Sequence, residues 1–205
     1  MGGGRAVARE EPGARKRSGG GAAAAELPGK PERQVLVTVG TTNFDALVRA
    51  LDRPEVAEAL VALGYTRLVL QIGATAAYEP AELVPAGARA ATHGSGLEVE
   101  WFRLVPSLGR LIEASALVIS HAGAGSIFET LRAGKPLIAV PNARLMDNHQ
   151  VELARELAAR RHLCWCLEAD VLDAIQRIDP GALRPYEAGS PDVVTAAIDK
   201  LFAWS

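Results

Sequence analysis

The residues whose types and spacing favour chemistry are concentrated in one glycine-rich turn, His-Ala-Gly-Ala-Gly-Ser, at positions 121–126. The turn follows a short apolar strand at 117–120 and precedes a predicted helix at 127–132. Glycines let backbone amides approach a ligand closely, and a helix N-terminus presents unpaired N–H groups with a partial positive charge. Such a turn favours an anion, usually a phosphate. Its candidate binding residues are His121, Gly123, Gly125 and Ser126.

Two further polar turns follow predicted strands. One comes directly after a β-branched strand at 34–39, and the other opens a helix after a strand at 136–140. In a doubly wound sheet the carboxyl ends of parallel strands lie on one edge, which is where such folds bind ligands. All three turns can therefore converge on one site. The additional candidate residues are Gly40, Thr41, Thr42, Glu129, Asn148, His149 and Gln150.

Each turn also has a purely structural interpretation. The pairs Thr42/Asp45, Ser126/Glu129 and 147/150 place a capping oxygen three residues before a carboxyl or amide group, which is the spacing of a capping box. A capping box explains Ser126 and Glu129 without any ligand. It explains neither the glycines of the turn nor His121, so both interpretations stay open at this point.

The elements that must position these residues alternate between strands and helices. This order predicts an α/β fold with a doubly wound parallel sheet covered on both faces. Residues 74–96 are predicted to form a long surface loop with at most one short helical turn. The other predicted strands are 67–72, 97–102 and 162–167, and the other predicted helices are 44–51, 54–63, 106–114, 147–160, 169–178 and 191–204.

Length and composition suit one folded domain and an arm. The chain has 205 residues, of which 49% are hydrophobic, and a net charge of −2. Residues 1–33 are rich in Gly, Ala and Arg without apolar periodicity and are predicted to be a disordered arm, whereas 34–205 form the domain. The charge gives no basis for nucleic-acid binding. No apolar run reaches the ~18 residues of a membrane span, so we expect no direct membrane insertion.

Several common sites are disfavoured. Residues 40–42 lack the further glycines of a dinucleotide fingerprint, and neither a P-loop nor a Gly-x-Ser-x-Gly elbow occurs. Cys164 and Cys166 have no second Cys/His pair at zinc spacing, and we interpret them as reduced, cytosolic and part of the packing. No Asp-x-Asp pair is present, and we expect neither a metal nor another cofactor.

Together these motifs resemble the glycosyltransferase family 28 C-terminal domain. The resemblance covers nearly everything after Gln34. It is carried by Gly-Thr-Thr-x-Phe at 40–44, Gln-Ile-Gly at 71–73, Pro-Ser-Leu at 106–108, Ser-His-Ala-Gly-Ala-Gly-Ser-x-x-Glu at 120–129, Lys-Pro-Leu at 135–137 and Asn-His-Gln-x-Glu-Leu-Ala at 148–154. It implies a Rossmann-like domain that is the C-terminal, donor-binding half of a two-domain GT-B glycosyltransferase.

The resemblance also implies roles for the candidate residues. The turn at 121–126 would face the diphosphate of a UDP-sugar, with residues 40–42 opposite and His121 in an electrostatic role. Glu129 would accept hydrogen bonds from both ribose hydroxyls, and the backbone at 104–107 would meet the uracil. Asn148, His149 and Gln150 would contact the sugar hydroxyls. The catalytic base would lie on the other half, so it is not assigned to this chain.

Within the family, the pattern is most similar to donor-binding subunits of two-part N-acetylglucosaminyltransferases. This implies inverting, metal-independent transfer of N-acetylglucosamine from UDP to a dolichol-linked N-acetylglucosamine diphosphate, in the assembly of lipid-linked oligosaccharide for N-glycosylation. The subunit would be cytosolic, recruited to the endoplasmic reticulum by a membrane-anchored acceptor subunit, and active only with it. The alternatives are a bacterial-type two-part polysaccharide glycosyltransferase subunit and a non-catalytic scaffold that retains the fold.

Overall fold

The computed structural model describes residues 1–2, 33–142 and 149–187. Its centre is a seven-stranded sheet in the order β3-β4-β2-β1-β5-β6-β7, in which only β3 pairs antiparallel to its neighbour. The strands are β1 (Gln34–Thr38), β2 (Arg67–Gln71), β3 (Ala90–Thr92), β4 (Glu98–Phe102), β5 (Ser115–Ser120), β6 (Leu137–Ala139) and β7 (Cys164–Trp165). The helices are α1 (Asp45–Leu51), α2 (Pro54–Ala62), α3 (Gly109–Ala114), α4 (Ala124–Arg132), α5 (His149–Ala159) and α6 (Val171–Arg177).

Strand β1 shows why the sheet is covered on both faces. Successive side chains of a strand point to opposite faces. Val35 and Val37 pack into a core with residues of α1, α2 and α6, whereas Leu36 packs into a second core with residues of α3, α4 and α5. All three side chains are fully buried. The predicted doubly wound α/β fold is therefore confirmed, with one helical layer on each side of the sheet.

The order of the strands reverses beside β1. The chain moves from β1 outward to β2 and β4, and then returns to place β5 on the other side of β1. Such a reversal opens a crevice at the carboxyl ends of the two strands, because the connections leave in opposite directions. The turn after β1 begins near Gly40 and the turn after β5 begins at His121, so the fold places both beside this crevice.

The prediction that residues 74–96 form a surface loop with at most one short helical turn is wrong. Its residues 90–92 form β3, which pairs with β4 at the sheet edge. Further upstream the Asp52 carboxylate, which is only 1% exposed, accepts hydrogen bonds from the hydroxyl of Tyr78 (2.6 Å) and from the amides of residues 81–83. Leu83 and Val84 are consequently buried in the core. A buried carboxylate 26 or more residues away thus orders a segment with few large apolar side chains.

Other elements differ from the prediction mainly at their ends. Helix α3 begins at Gly109, so residues 106–108 are not helical, and β7 has only two residues. A 3-10 turn, Glu168–Asp170, precedes α6. The predicted helix at 191–204 and the predicted arm, apart from residues 1–2 and 33, lie outside the described residues.

Both cysteines lie among the described residues. Cys164 and Cys166 are both free and half-buried, and burial, followed by the nearby Asp170 carboxylate, raises the pKa of Cys166 to about 12.

In the described part of the chain, no helix has both the length and the apolar character needed to cross a membrane.

Candidate functional site

A pocket of about 460 Å³ lies at the crevice beside β1 and β5. Its walls come from the turn after β1, the end of β2, the segment after β4, and the β5–α4 turn with the first turns of α4. The lining residues are Gly40, Thr41, Gln71, Leu104, Val105, Pro106, Ser107, Leu108, His121, Gly123, Gly125, Ser126 and Glu129. Segments that are distant in sequence thus meet in one cavity of a size that suits a small ligand.

The pocket brings together most of the predicted site residues. Those that line it are Gly40, Thr41, His121, Gly123, Gly125, Ser126 and Glu129, together with the backbone segment 104–107. Thr42 does not line it, and its hydroxyl donates to the carbonyl of Val39 at 2.9 Å. His149 and Gln150 begin α5 without lining the pocket, and the His149 side chain is 87% exposed. Asn148 lies outside the described residues.

The capping-box interpretation of the two described turns is wrong. The residue that precedes α4 is Gly123, in an extended conformation, so Ser126 is the third residue of the helix and not its cap. The residue that precedes α1 is Phe44, and the Thr42 hydroxyl is occupied elsewhere. In neither helix does the residue at the N-cap form a side-chain capping hydrogen bond. Ser126 and Glu129 therefore have no capping task that would explain them.

The N-terminus of α4 supplies unpaired hydrogen-bond donors. The first backbone hydrogen bond onto this helix joins the amide of Ile127 to the carbonyl of Gly123 at 3.0 Å. The amides of residues 124–126 donate to no group among the described residues. Amides at the start of a helix lack partners within it and carry the positive end of its dipole. An anion in the pocket would satisfy these donors.

The glycines on either side of His121 leave room for its ring. A Cβ on Gly40 would lie 2.5 Å from Cε1 of His121, and a Cβ on Gly123 would also collide with the ring. Gly40 has a φ of +65°, a conformation that favours glycine. The imidazole is thus held between the two turns, so that the turn after β1 and the turn after β5 are in contact through it.

Burial decides the charge of this imidazole. His121 is 7% exposed, and burial lowers its pKa from the ordinary value of 6.5, although the nearby backbone of Thr38 acts in the opposite direction. The ring is therefore neutral at neutral pH. Its Nδ1 is buried without a hydrogen-bond partner in the described structure. A neutral ring can donate one hydrogen bond to an anion but adds no net charge to the pocket.

The backbone of the β5–α4 turn is strained at Ala122. This residue is fully buried and has a φ of +64°, in the left-handed region that non-glycine residues seldom adopt. Such a conformation costs on the order of 1–3 kcal/mol and persists only where the surroundings enforce it, commonly at functional sites. Here it turns the chain sharply between His121 and the N-terminus of α4.

Glu129 lies one turn along α4 from Ser126. It is exposed, and its side chain has no hydrogen bond or ion pair to any described residue. Leu104 and Val105 add apolar surface to the lining and are 47% and 36% exposed, which is unusual for such side chains in this domain. The pocket therefore combines unpaired amides, a free carboxylate and an apolar patch.

Gln71 is a lining residue that is absent from the predicted site. Its side chain is 1% exposed, and its amide oxygen accepts from the Thr38 hydroxyl (2.6 Å) and from the amides of Val39 and Gly40. Its amide nitrogen donates to the carbonyls of Gly40 and Arg103, both at 2.8 Å. The sequence signal is a glutamine that ends an otherwise apolar strand. Because Gly40 already donates to Gln71, its own amide is not free for a ligand.

Comparison with known proteins agrees with this architecture. A family model, the glycosyltransferase family 28 C-terminal domain, matches residues 34–199. Human UDP-N-acetylglucosamine transferase subunit ALG13 is 46% identical over 133 residues, which cover 64% of this chain and 11% of that protein. The subunit of the same name from Eremothecium gossypii is 41% identical over 157 residues, which cover 68% of this chain and 76% of that protein. The chain thus spans about a tenth of the human and mouse relatives it matches.

Solved structures confirm the fold. An NMR solution structure of ALG13 superposes with a TM-score of 0.60 and 25% identity, covering 81% of this chain and 94% of the other. Acinetobacter baumannii MurG superposes with a TM-score of 0.54 and 19% identity, covering 74% of this chain and 43% of MurG. The fold therefore corresponds to one half of a GT-B glycosyltransferase, as predicted. The family match spans most of the sequence and includes every strand of the sheet, and the chain belongs to the glycosyltransferase family 28 C-terminal domain family.

Proposed function

We propose that the chain binds UDP-N-acetylglucosamine and forms the donor half of a two-subunit N-acetylglucosaminyltransferase. The observation that carries this proposal is the set of unpaired amides at the N-terminus of α4, which open into the pocket beside the free carboxylate of Glu129. The relatives named as UDP-N-acetylglucosamine transferase subunits support the choice of donor.

The lining suggests how UDP would lie. The diphosphate would accept hydrogen bonds from the amides of residues 124–126, with Ser126 and His121 nearby. Glu129 would accept from the two ribose hydroxyls, which a carboxylate can do with both oxygens. The uracil would lie against Leu104 and the segment that follows it. The sugar would extend toward Thr42 and the start of α5, where Asn148, His149 and Gln150 are proposed to contact its hydroxyls.

In the proposed reaction, the acceptor hydroxyl attacks C1 of N-acetylglucosamine while the bond from C1 to the β-phosphate oxygen breaks. The hydroxyl loses its proton to a base on the partner subunit, and UDP leaves with additional negative charge. Fixed amides and the α4 dipole stabilise this charge without reorganising during the reaction. We propose that the transfer is inverting and needs no metal. Persistence of activity in excess EDTA is the expected result.

The proposed partner is a membrane-anchored subunit that carries the acceptor half. The acceptor would be N-acetylglucosamine diphosphate linked to dolichol, and the complex would lie at the cytosolic face of the endoplasmic reticulum. Support comes from the word "subunit" in the relatives' names and from the fold, which corresponds to less than half of MurG. The chain would then be inactive until the partner supplies the other wall of the cleft.

A transfer assay on the assembled complex tests the proposal. The tagged full chain is used to capture its partner from detergent-solubilised membranes, and both the chain alone and the captured complex are given labelled UDP-N-acetylglucosamine and the lipid-linked acceptor. We expect transfer only by the complex. A Glu129→Ala chain that supports full transfer would instead favour the scaffold alternative, since the pocket would then be unused.

A further inference from the structure

We infer that Gln71 is a positioning residue for the donor: its side-chain amide sets the distance between the turn after β1 and the segment after β4. The inference rests on the proposed function, because those two elements form the diphosphate side and the uracil side of the pocket. Gln71 would act through them and not by contact with the nucleotide.

The hydrogen bonds of Gln71 connect the two elements directly. Its nitrogen donates at 2.8 Å to the carbonyl of Gly40, in the turn after β1, and at 2.8 Å to the carbonyl of Arg103, which precedes the exposed Leu104. Its oxygen accepts from the Gly40 amide at 3.1 Å. Both polar groups of Gly40 are thus fixed by one side chain, and the same side chain fixes the start of the 104–108 segment.

The same bonds exclude a direct binding role. Both N–H groups of the amide are used, and its oxygen already accepts from Thr38, Val39 and Gly40. The orientation of the amide is unambiguous, since one end faces N–H groups and the other faces two carbonyls. No donor remains for a ligand. The five bonds also exceed what an ordinary strand end requires, since β2 already pairs with β1 and β4 through its backbone.

Gln71→Glu tests the inference with almost no change of shape. The introduced carboxylate keeps an oxygen toward Val39 and Gly40 but places its second oxygen against the carbonyls of Gly40 and Arg103. The two lost donors release the connection between the two sides of the pocket. We expect the dissociation constant for UDP to rise by roughly ten- to a hundredfold, because small displacements of groups that position a ligand have effects of this size. In the assembled enzyme the KM for UDP-N-acetylglucosamine should rise more than kcat falls.

A second signature is the recovery of UDP binding at lower pH. Repulsion by the two carbonyls and burial both favour the protonated acid, which regains one donor. The ratio of variant to wild-type affinity should therefore improve as pH falls. His121 and Glu129 also line the pocket, and both are present in the variant and in the wild type, so the ratio removes their contribution.

Gln34→Glu is the matched control. Gln34 is also buried, at 6% exposed, and its nitrogen donates to the Leu111 carbonyl (3.3 Å) and the Ser115 hydroxyl (2.9 Å) at the opposite end of β1. UDP affinity by calorimetry and urea unfolding are measured for the full-length wild type and both variants. Loss of UDP affinity only in Gln71→Glu, with recovery at low pH, supports the inference.

The alternatives give different results. The inference would be overturned if both variants lost UDP affinity equally, in proportion to their loss of stability. It would also be overturned if Gln71→Glu kept the wild-type UDP affinity. In either case, UDP binding by the wild type would still support the proposed donor site. A Gln71→Glu chain that is unfolded at neutral pH and does not recover UDP binding when refolded at lower pH would also overturn it. A wild-type chain that does not bind UDP would overturn the proposed function itself.

Discussion

The imidazole ring of His121 lies against the backbone of Gly40, so that the turns after β1 and β5 meet through one side chain. A Cβ on Gly40 would be 2.5 Å from Cε1 and 2.9 Å from Nε2 of the ring. The contact joins residues 81 positions apart at the edge where the strand order reverses. The position of one turn of the candidate donor site therefore depends on the other.

Gly40→Ala should disrupt this contact. The added methyl group must displace the ring, and the left-handed backbone adds its own strain, so we expect a loss of unfolding free energy of about 2–4 kcal/mol. UDP binding should weaken as well. The matched control is Gly87→Ala, where φ is +81° but no atom lies within 4 Å of the added Cβ. Urea unfolding of both variants separates the backbone strain from the collision with the His121 ring. Equal losses of unfolding free energy in the two variants would contradict the contact between Gly40 and the ring.

Gly125→Ala should separate folding from binding. Gly125 lies in the first turn of α4, and no atom lies within 4 Å of a Cβ added there. Replacing a helical glycine with alanine typically stabilises by about 0.5–1 kcal/mol. UDP affinity should nevertheless fall, because the methyl group enters the space in which the phosphates approach the amides. Calorimetry and thermal unfolding measure the two effects.

The control for Gly125→Ala is Gly94→Ala. Gly94 also has open space where a methyl group would be added, but it does not line the pocket. Its replacement should leave UDP affinity unchanged. If Gly125→Ala kept the full UDP affinity, the absence of a side chain at position 125 would not be required for ligand binding.

The buried His121 should make stability depend on pH. Burial lowers its pKa below the ordinary value of 6.5, so below that pH the unfolded chain binds more protons than the folded chain. This contribution to stability is fully present above pH 6.5 and is lost as pH falls from there through the lower, folded pKa. Urea unfolding at about pH 7.5 and about pH 5.5 should show this loss in the wild type.

His121→Gln supplies the comparison for the pH series. Glutamine does not titrate, so the variant should lose less stability than the wild type over the same interval, although it starts from a lower value. All other side chains are the same in the two proteins. Parallel pH profiles for the two proteins would show that His121 is not desolvated in the folded chain.

The sequence predicts those features that depend on neighbours along the chain. Local sequence alone indicates the strand at 34–38 and the glycine turn at 121–126. The central strand and the α4 turn therefore lie at nearly the predicted positions. The parallel sheet then follows from the alternation of elements, and it brings the two turns to one edge.

Features that depend on distant partners are not predictable in the same way. Asp52 orders residues 78–83 by hydrogen bonds across 26 to 31 positions, and no local pattern indicates this. The Gln71 connection to Gly40 and Arg103 likewise spans more than 30 positions. The spacing around Ser126 fits a capping box, but the helix begins two residues before this serine. Only the backbone conformation of Gly123 decides between those alternatives.

The most direct test of the account compares binding of UDP and 2′-deoxy-UDP to the full-length chain. Glu129 has no partner among the described residues, so its replacement should leave the fold intact. We expect the wild type to prefer UDP, and Glu129→Ala to lose about 1–3 kcal/mol of UDP binding and with it the preference for the 2′-hydroxyl. The exposed helical carboxylate Glu113, replaced by alanine, should change neither. A wild-type chain that does not bind UDP, or a Glu129→Ala chain that keeps the full preference, would contradict a nucleotide site at the N-terminus of α4.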